Sequence, residues 1–290
     1  KTFFHEVFVD NADLTGQDIV IGKSSGLSGR KCYVAYIKLV PLESAKVQEI
    51  QQDRADPNTR RLTAVMDGFK YFANSEYDTA EQIRELVELY RYSDVGKVLW
   101  GVNRGCETNY HSLVAGTSWA GRQYNNMAVI DTNHLNAGIL GEKQCYESLR
   151  AFDANGTMPQ DIIASHAHSM GLKFDLMFPM GLSGGIKPFP GWDPNSIVNL
   201  HPEACQKTRT GTIVQKASYA VPAMRQFMIN LIQEAVTKFD ADGVNLCFTR
   251  GPHYIQYEQN YNNSFYARYS FDARNLPADD PRIYTVRASI

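Results

Sequence analysis

The stretch YAVPAMRQFMINLIQEAVTKFDADGVNLCFTRGP, residues 219–252, decides the fold class of this chain. Its first half repeats apolar side chains at intervals of three and four residues, the spacing that buries one side of a long helix, and Pro222 suits the first turn. Asp240–Gly243 then breaks the helical period, and Val244–Arg250 alternates apolar with polar residues as a strand does. A helix that leads into a strand through a tight turn is half of an α/β repeat. Arg250 falls at the carboxyl end of this strand, where parallel sheets and barrels keep their ligand sites.

The same order of helix and strand occurs earlier in the chain. Asp78 and Glu81 have the spacing of a capping box, and an apolar helical face follows them. The apolar run Val95–Val102 then predicts a strand. These residues form a first helix-to-strand unit.

A second unit follows a long polar and aromatic loop. Thr157 and Gln160 are predicted to cap a helix that has Pro159 in its first turn, and Leu172–Pro179 is the predicted strand. Each of the three predicted strands is followed by a long loop. Loops at the carboxyl ends of strands carry specificity in α/β enzymes, so we expect the site there.

Two short apolar runs near the amino terminus, Ile19–Ile21 and Cys32–Val40, predict a small β hairpin around a Gly- and Ser-rich turn. Residues 44–62 are polar and show no clear period. We therefore expect a β-rich amino-terminal segment over residues 1–62 and a larger α/β domain over residues 63–290.

Composition limits the class of protein and of partner. The chain has 290 residues, of which 43% are hydrophobic and 21% charged, enough apolar residues to bury a substantial core. The net charge of -2 and the interspersed signs argue against nucleic acid as a partner. No apolar run approaches the roughly 18 residues that a membrane span requires.

The cysteines and the first residues bear on location. Five cysteines without paired short spacings exclude a zinc ribbon or a CxxC redox motif. The sequence opens on Lys1 without an initiator methionine, and two glycosylation sequons begin at Asn155 and Asn262. We expect a secreted or periplasmic protein.

Several segments, taken in order, resemble a known family. They are Met66–Phe69, Tyr77–Glu81, Val98–Val102, His166–Phe174 and Phe239–Pro252. Over roughly residues 62–290 the chain resembles the largely uncharacterised bacterial glycoside-hydrolase-like TIM-barrel proteins. The resemblance implies a (β/α)8 TIM-barrel type of fold with its cleft at the carboxyl ends of the strands. It also implies a carbohydrate ligand, a polysaccharide or an oligosaccharide.

The resemblance has one chemical departure. In that family the strand at residues 244–250 usually carries two inward acids, and Asn245 and Cys247 stand in their places here, whereas Asp242, Gly243 and Arg250 match. Glycoside hydrolysis generally needs two carboxylates, one that protonates the leaving oxygen and one that acts as nucleophile or base.

Two hypotheses follow from this departure. Either Asp175 and Glu258 supply the catalytic carboxylates of a glycosidase, or the protein binds carbohydrate without cleaving it. Asp175 lies inside a predicted strand between Phe174 and Leu176, so we expect it to face the barrel interior. Two carboxylates within about 5 to 10 Å across the cleft favour hydrolysis, and their absence favours binding.

A closed barrel typically has eight strands, whereas the sequence predicts three helix-to-strand units, and the first predicted strand begins only at Val95. The final residues resemble the start of a further helix of the family. We therefore expect an incomplete barrel, the amino-terminal part of a longer barrel protein.

Polar and aromatic residues near the predicted strand ends are the candidates for substrate binding. Arg250 is suited either to clamping substrate oxygens or to pairing with a neighbouring acid, and Cys247 is either a nucleophile or an inert buried thiol. The full set is Trp100, Asn103, Arg104, Asn245, Cys247, Arg250, His253 and Tyr254.

We predict no metal and no cofactor. His166 and His168 are two residues apart on one predicted helix, so their directions differ by about 200° and joint ligation is disfavoured. The sequence contains no Gly-x-Ser-x-Gly elbow. It does not indicate an oligomeric state.

Overall fold

Four parallel strands form the central sheet of the computed structural model, which describes residues 12–20, 34–56, 58–72, 77–91, 93–115, 137–181, 197–248, 257–277 and 279–282. The strands pair in chain order and are β1 (Leu62–Met66), β2 (Val95–Gly101), β5 (Lys173–Pro179) and β8 (Gly243–Cys247). Two short antiparallel ladders accompany them, β3 (Asn103–Arg104) with β4 (Glu107–Thr108) and β6 (Cys205–Lys207) with β7 (Ile213–Ala217).

At least one helix lies between each pair of successive strands of the central sheet. The helices are α1 (Ser44–Ala55), α2 (Ala80–Glu88), α3 (Ala137–Ala154), α4 (Pro159–Ser169), α5 (Ile197–Leu200), α6 (Pro222–Lys238) and α7 (Gln259–Tyr269). Helices α2, α4 and α6 precede β2, β5 and β8. Repeated β/α units with strands in sequential order are the architecture of part of a (β/α) barrel. Among the described residues the four strands form an open sheet and do not close into a barrel.

The prediction that the first strand of the α/β domain begins at Val95 is wrong, because β1 precedes it in the sheet. Strand β1 has five residues, of which only Ala64 and Met66 are buried. The other three side chains are exposed. Alanine contributes little apolar signal, and Arg60 and Arg61 precede the strand directly. Pairing with β2 rather than local pattern therefore establishes this strand.

The amino-terminal segment also differs from expectation. Residues 34–40, the described part of the strand predicted over Cys32–Val40, have no regular structure, and the described residues before 62 contain helix α1 and no strand. Val34, Ile37 and Val40 are exposed, so these apolar side chains have no partner surface that would stabilise a strand.

The caps of α2 and α4 are each shifted by one residue from the predicted ones. Thr79 and Gln82 form the capping box of α2, in place of the predicted Asp78 and Glu81. At α4 the Asp161 carboxylate accepts a hydrogen bond from the backbone N–H of Met158 at 3.0 Å, a role predicted for Thr157 and Gln160. Pro159 and Pro222 begin α4 and α6, as predicted.

The two faces of the sheet have different environments. Val98, Trp100, Phe174, Leu176 and Phe178 are buried in one cluster with side chains of α2, α4 and α6. The alternate residues form rows across the opposite, inner face. One row is Val65, Leu99, Asp175 and Gly243, the next contains Gly101, Met177 and Asn245, and the last pairs Pro179 with Cys247.

Asn109 fixes the carboxyl ends of β1 and β2 to each other. Its buried side-chain amide donates to the carbonyl oxygens of Gly68 and Gly101, both at 2.8 Å, and its Oδ1 accepts from Gln160 Nε2. Gly68 has a φ of 76°, and a Cβ there would lie 2.0 Å from the carbonyl oxygen of Gly101. The backbones after the two strands are therefore held closer than any other residue at position 68 would allow.

We expect Asn109→Ala to lower the free energy of unfolding by about 2 kcal/mol, because it leaves buried polar partners unsatisfied. Urea unfolding followed by circular dichroism measures the loss. Asn230→Ala, on the exposed side of α6, is the matched control and should change stability by less than about 0.5 kcal/mol. Equal stability of the two variants would contradict the role assigned to Asn109.

Candidate functional site

The carboxyl ends of β5 and β8 meet the starts of α6 and α7 at one edge of the sheet. The backbone N–H of Met180, just after β5, donates to the carbonyl oxygen of Cys247 at 2.9 Å. Tyr219, three residues before α6, donates its hydroxyl to the carbonyl oxygen of Met180 at 2.9 Å. The carboxyl edge is therefore held together by direct contacts between the two strand ends and the loop before α6.

Glu258 lies at this edge, immediately before α7, and is 2% exposed. The Ser218 hydroxyl donates to its Oε1, and its Oε2 has no hydrogen-bond partner among the residues that the structure describes. The backbone N–H of the preceding Tyr257 donates to the carbonyl oxygen of Lys207 at 3.2 Å. These contacts join the start of α7 to the β6–β7 ladder and to the residues before α6.

Burial raises the pKa of Glu258, and the Ser218 hydrogen bond and the nearby Lys207 charge only partly oppose this effect. A carboxyl group with a raised pKa keeps its proton at higher pH than an exposed glutamate. Such a group can donate a proton to a leaving oxygen.

This shift predicts a pH dependence of stability. Because its pKa is higher in the folded than in the unfolded protein, ionisation of Glu258 opposes folding as the pH rises from the unfolded pKa through the folded one. We expect Glu258→Gln to gain stability relative to the wild type over that window, and to show a constant difference below the unfolded pKa. Thermal unfolding from pH 3 to 8 tests this, and a difference that does not vary with pH would contradict it.

Asp175 lies in a different part of the sheet. It is on the inner face, 5% exposed, with Lys97 Nζ 2.6 Å from its Oδ2 and no partner for Oδ1 among the described residues. Gly243 on β8 leaves room for it, since a Cβ there would lie 2.8 Å from Asp175 Oδ1. Asp175 precedes Pro179 by four residues, so it is about 13 Å from the end of β5.

The structure therefore gives the two predicted catalytic carboxylates separate surroundings. Glu258 is at the carboxyl edge beside Ser218, whereas Asp175 pairs with Lys97 well before that edge. No described hydrogen bond or ion pair joins Asp175 to Glu258.

Trp100 is part of the core and not of an accessible surface. It is fully buried on the helix-facing side of β2, with the Tyr71 ring stacked on it at 5.9 Å and the Phe72 ring edge-on at 6.4 Å. Val98 and Phe174 lie in the same buried cluster. A ring held in this way presents no face to a sugar, which corrects the prediction that Trp100 binds substrate.

Asn103 and Arg104 form β3 directly after β2. Asn103 is buried, and its Nδ2 donates to the carbonyl oxygen of Gly105 at 2.8 Å, which stabilises the turn between β3 and β4. The backbone of Arg104 lies opposite that of Glu107 in the antiparallel ladder of β3 and β4. This hairpin lies near the predicted site, but its asparagine is engaged by the backbone.

Asn245 and Cys247 are half-buried on the inner face of β8, where the alternation of the sequence places them. They occupy successive rows, beside Met177 and Pro179. Arg250, His253 and Tyr254, the other predicted binding residues, lie outside the described residues.

The two histidines of α4 have different acidic partners. His166 Nε2 is 2.7 Å from Glu88, and His168 Nε2 is 2.9 Å from Asp242. Within the described ranges no three histidine, cysteine, aspartate or glutamate residues are grouped as a metal site would require. No described helix has the length and apolar character of a membrane span.

Sequence reasoning missed Ser218, which donates to Glu258, and Tyr219, which links the loop before α6 to Met180. Ser218 and Tyr219 precede α6 and are 40 and 39 residues from Glu258 along the chain, so no local spacing relates them. The sequence predicts Phe248 as part of a strand, whereas in the structure it follows β8 and contacts the Tyr219 ring. The sequence offers one indirect signal for these contacts, which is that Ser218, Tyr219 and Glu258 all lie shortly before a helix.

The fold and site define a parallel α/β protein with (β/α)-barrel strand order and a buried carboxyl group at the carboxyl edge of its sheet. No family model and no curated protein matches the chain. It is similar to the solved structure of alpha-L-fucosidase isoenzyme 2 from Paenibacillus thiaminolyticus, with a TM-score of 0.46, 12% identity, and coverage of 79% of this chain and 28% of that one.

Two further solved structures are similar at lower scores. A GH20 exo beta-N-acetylglucosaminidase from Vibrio harveyi has a TM-score of 0.42 and 9% identity, with coverage of 74% of this chain and 31% of that chain. A maltogenic alpha-amylase from Thermotoga neapolitana has a TM-score of 0.37 and 15% identity, with coverage of 79% and 48%. The chain thus spans less than half the length of each. The fold class rests on the strand order of the chain itself.

Proposed function

We propose that this chain is part of a glycoside-hydrolase-like protein that acts on an oligosaccharide or polysaccharide, with Glu258 as the proton donor to the glycosidic oxygen. The observation that carries the proposal is the buried Glu258 carboxyl group at the carboxyl edge, held by the Ser218 hydroxyl. The sequential parallel β/α units and the resemblance of residues 62–290 to glycoside-hydrolase-like barrel proteins support it.

The environment of Glu258 suits an acid catalyst for three reasons. Glycoside hydrolysis requires a carboxyl group that is protonated before the leaving oxygen departs, and burial favours the protonated form of Glu258. The Ser218 hydroxyl donates to Oε1, and Oε2 has no hydrogen-bond partner among the described residues, so Oε2 is the oxygen that we expect to carry the proton. The group also lies at the edge of the sheet where (β/α) barrels perform their chemistry.

One observation favours the second candidate, carbohydrate binding without cleavage. Asp175 is engaged by Lys97 before the carboxyl edge, and the inner-face positions of β8 carry Asn245 and Cys247 rather than acids. A second carboxylate opposite Glu258 is therefore not supplied by Asp175. If no other acid serves as nucleophile or base, the protein binds sugars and does not hydrolyse them.

A screen with defined hexasaccharides separates the two candidates. Cellohexaose, xylohexaose, laminarihexaose and N-acetylchitohexaose are incubated with the protein, and binding is measured by calorimetry and cleavage by mass spectrometry. Cleavage supports the hydrolase, and binding without cleavage supports the second candidate. The absence of both with every saccharide, including the parent polysaccharides, would contradict a function on carbohydrate.

A further inference from the structure

His168, in the last turn of α4, has a carboxylate facing each nitrogen of its ring. Its Nε2 lies 2.9 Å from Asp242 Oδ2, and its Nδ1 lies 3.5 Å from Asp240 Oδ2. Both acids belong to the turn between α6 and β8. One histidine therefore links the end of α4 to the turn that leads into β8.

Asp242 is tied to the sheet as well as to His168. Its backbone N–H donates to the carbonyl oxygen of Phe174 at 2.8 Å, and its Oδ2 accepts from the backbone N–H of Phe174 at 2.7 Å. Burial alone would raise the pKa of Asp242, but the Phe174 N–H, His168 and the charge of Lys173 together hold that pKa below its usual value. The carboxylate is therefore ionised at neutral pH and joins β5, α4 and the start of β8.

The protonation state of the His168 ring decides how many carboxylates it can serve. An imidazolium carries an N–H on each nitrogen and can donate to both acids, whereas a neutral imidazole has one N–H and presents a lone pair to the other acid. Two carboxylates and the carboxyl end of a helix each favour a positive charge at this place. Only the imidazolium form therefore satisfies the whole arrangement.

We propose that His168 is a pH-sensitive link, which holds α4 to the turn before β8 through both carboxylates when protonated and gives up one of them when it loses its proton. The inference is independent of the proposed function. An ordinary imidazole loses its proton near pH 6.5, so the stability that the link supplies is present in full below about that pH and is lost as the pH rises above it. The fold is thereby stabilised under mildly acidic conditions.

His166, two residues earlier in α4, provides a matched control. Its Nε2 lies 2.7 Å from Glu88 Oε2, and no second carboxylate is described beside its ring. Arg91 also binds Glu88 and is the main reason that the pKa of Glu88 is lowered to about 2, with His166 a smaller one. Since a neutral imidazole can donate one hydrogen bond, His166 can keep this contact without a second proton.

Thermal unfolding of the full chain at pH 5.5 and pH 8.0 tests the link. Glutamine keeps one N–H donor and no charge, so we expect His168→Gln to lower Tm by about 2 °C relative to the wild type at pH 5.5 and by less than about 0.5 °C at pH 8.0. Asp240→Asn, at a side chain that is 92% exposed, should remove part of the same pH dependence. His166→Gln should change Tm equally at both pH values.

The differences from the wild type isolate the link, because Glu258 and its own pH dependence are common to all the variants. A His168→Gln variant whose Tm differs from that of the wild type by the same amount at both pH values overturns the inference. So does an Asp240→Asn variant that keeps the full pH dependence of the wild type, or a His166→Gln variant that loses as much of it as His168→Gln does.

Discussion

Replacement of Glu258 by glutamine is expected to lower kcat for the best-cleaved hexasaccharide by about 10²- to 10⁴-fold, with KM nearly unchanged. The amide preserves the shape of the side chain and can still accept the Ser218 hydrogen bond. It has no acidic proton to transfer to the leaving oxygen, so the rate of bond cleavage falls while sugar binding persists. Initial rates at several substrate concentrations give both parameters.

Glu203→Gln is the control for this substitution. Glu203 belongs to the segment between β5 and α6 that also contains Ser218, but it is exposed and contacts His201 at 3.0 Å. Its replacement should leave kcat unchanged. A Glu258→Gln variant that cleaves as fast as the wild type, or a Glu203→Gln variant that loses as much, would contradict the assignment of Glu258 as proton donor.

The second large effect concerns the ion pair of the inner face. We expect Lys97→Met to lower the free energy of unfolding by about 3 kcal/mol, because the buried Asp175 carboxylate loses the ammonium group that lies 2.6 Å from it. Urea unfolding at pH 7 measures the change. Lys70→Met, at an exposed lysine after β1, is the control and should have little effect.

The double variant Lys97→Met with Asp175→Asn tests the reason for this loss. Since the second change removes the unpaired charge, the double variant should recover much of the stability that Lys97→Met alone loses. It should also retain the wild-type kcat, because Asp175 lies before the carboxyl edge. A double variant that is no more stable than Lys97→Met, or one that loses cleavage, would contradict the structural role given to Asp175.

The helix-to-strand order was predictable wherever burial follows a regular period. α6 and β8 lie within the stretch from residue 219 to 252, because a long apolar stripe and a turn rich in aspartate specify them locally. Strand β1 was not predictable, since half of its side chains are exposed and its definition depends on pairing with β2. Parallel order and sheet position are non-local properties of this kind.

The candidate site was predictable only in part. Alternation along β8 correctly placed Asn245 and Cys247 on one face, because side chains in a strand alternate strictly. The same rule puts Trp100 on the helix-facing side of β2, opposite to the face of Leu99 and Gly101. The prediction that Trp100 binds substrate followed instead from the polar residues Asn103 and Arg104 shortly after it. The contact of Ser218 with Glu258 depends on the packing of two loops, for which the sequence has no periodic signal.

The most direct test of the central claim is the titration of the Glu258 carboxyl group by carbon-13 NMR, assigned by comparison with Glu258→Gln, with and without a bound hexasaccharide. We predict a pKa above the ordinary glutamate value of about 4.3, because the group is buried, and a carbon resonance that shifts when the saccharide binds. A Glu258 carboxyl group that titrates at the ordinary value and does not respond to any bound saccharide would contradict the account.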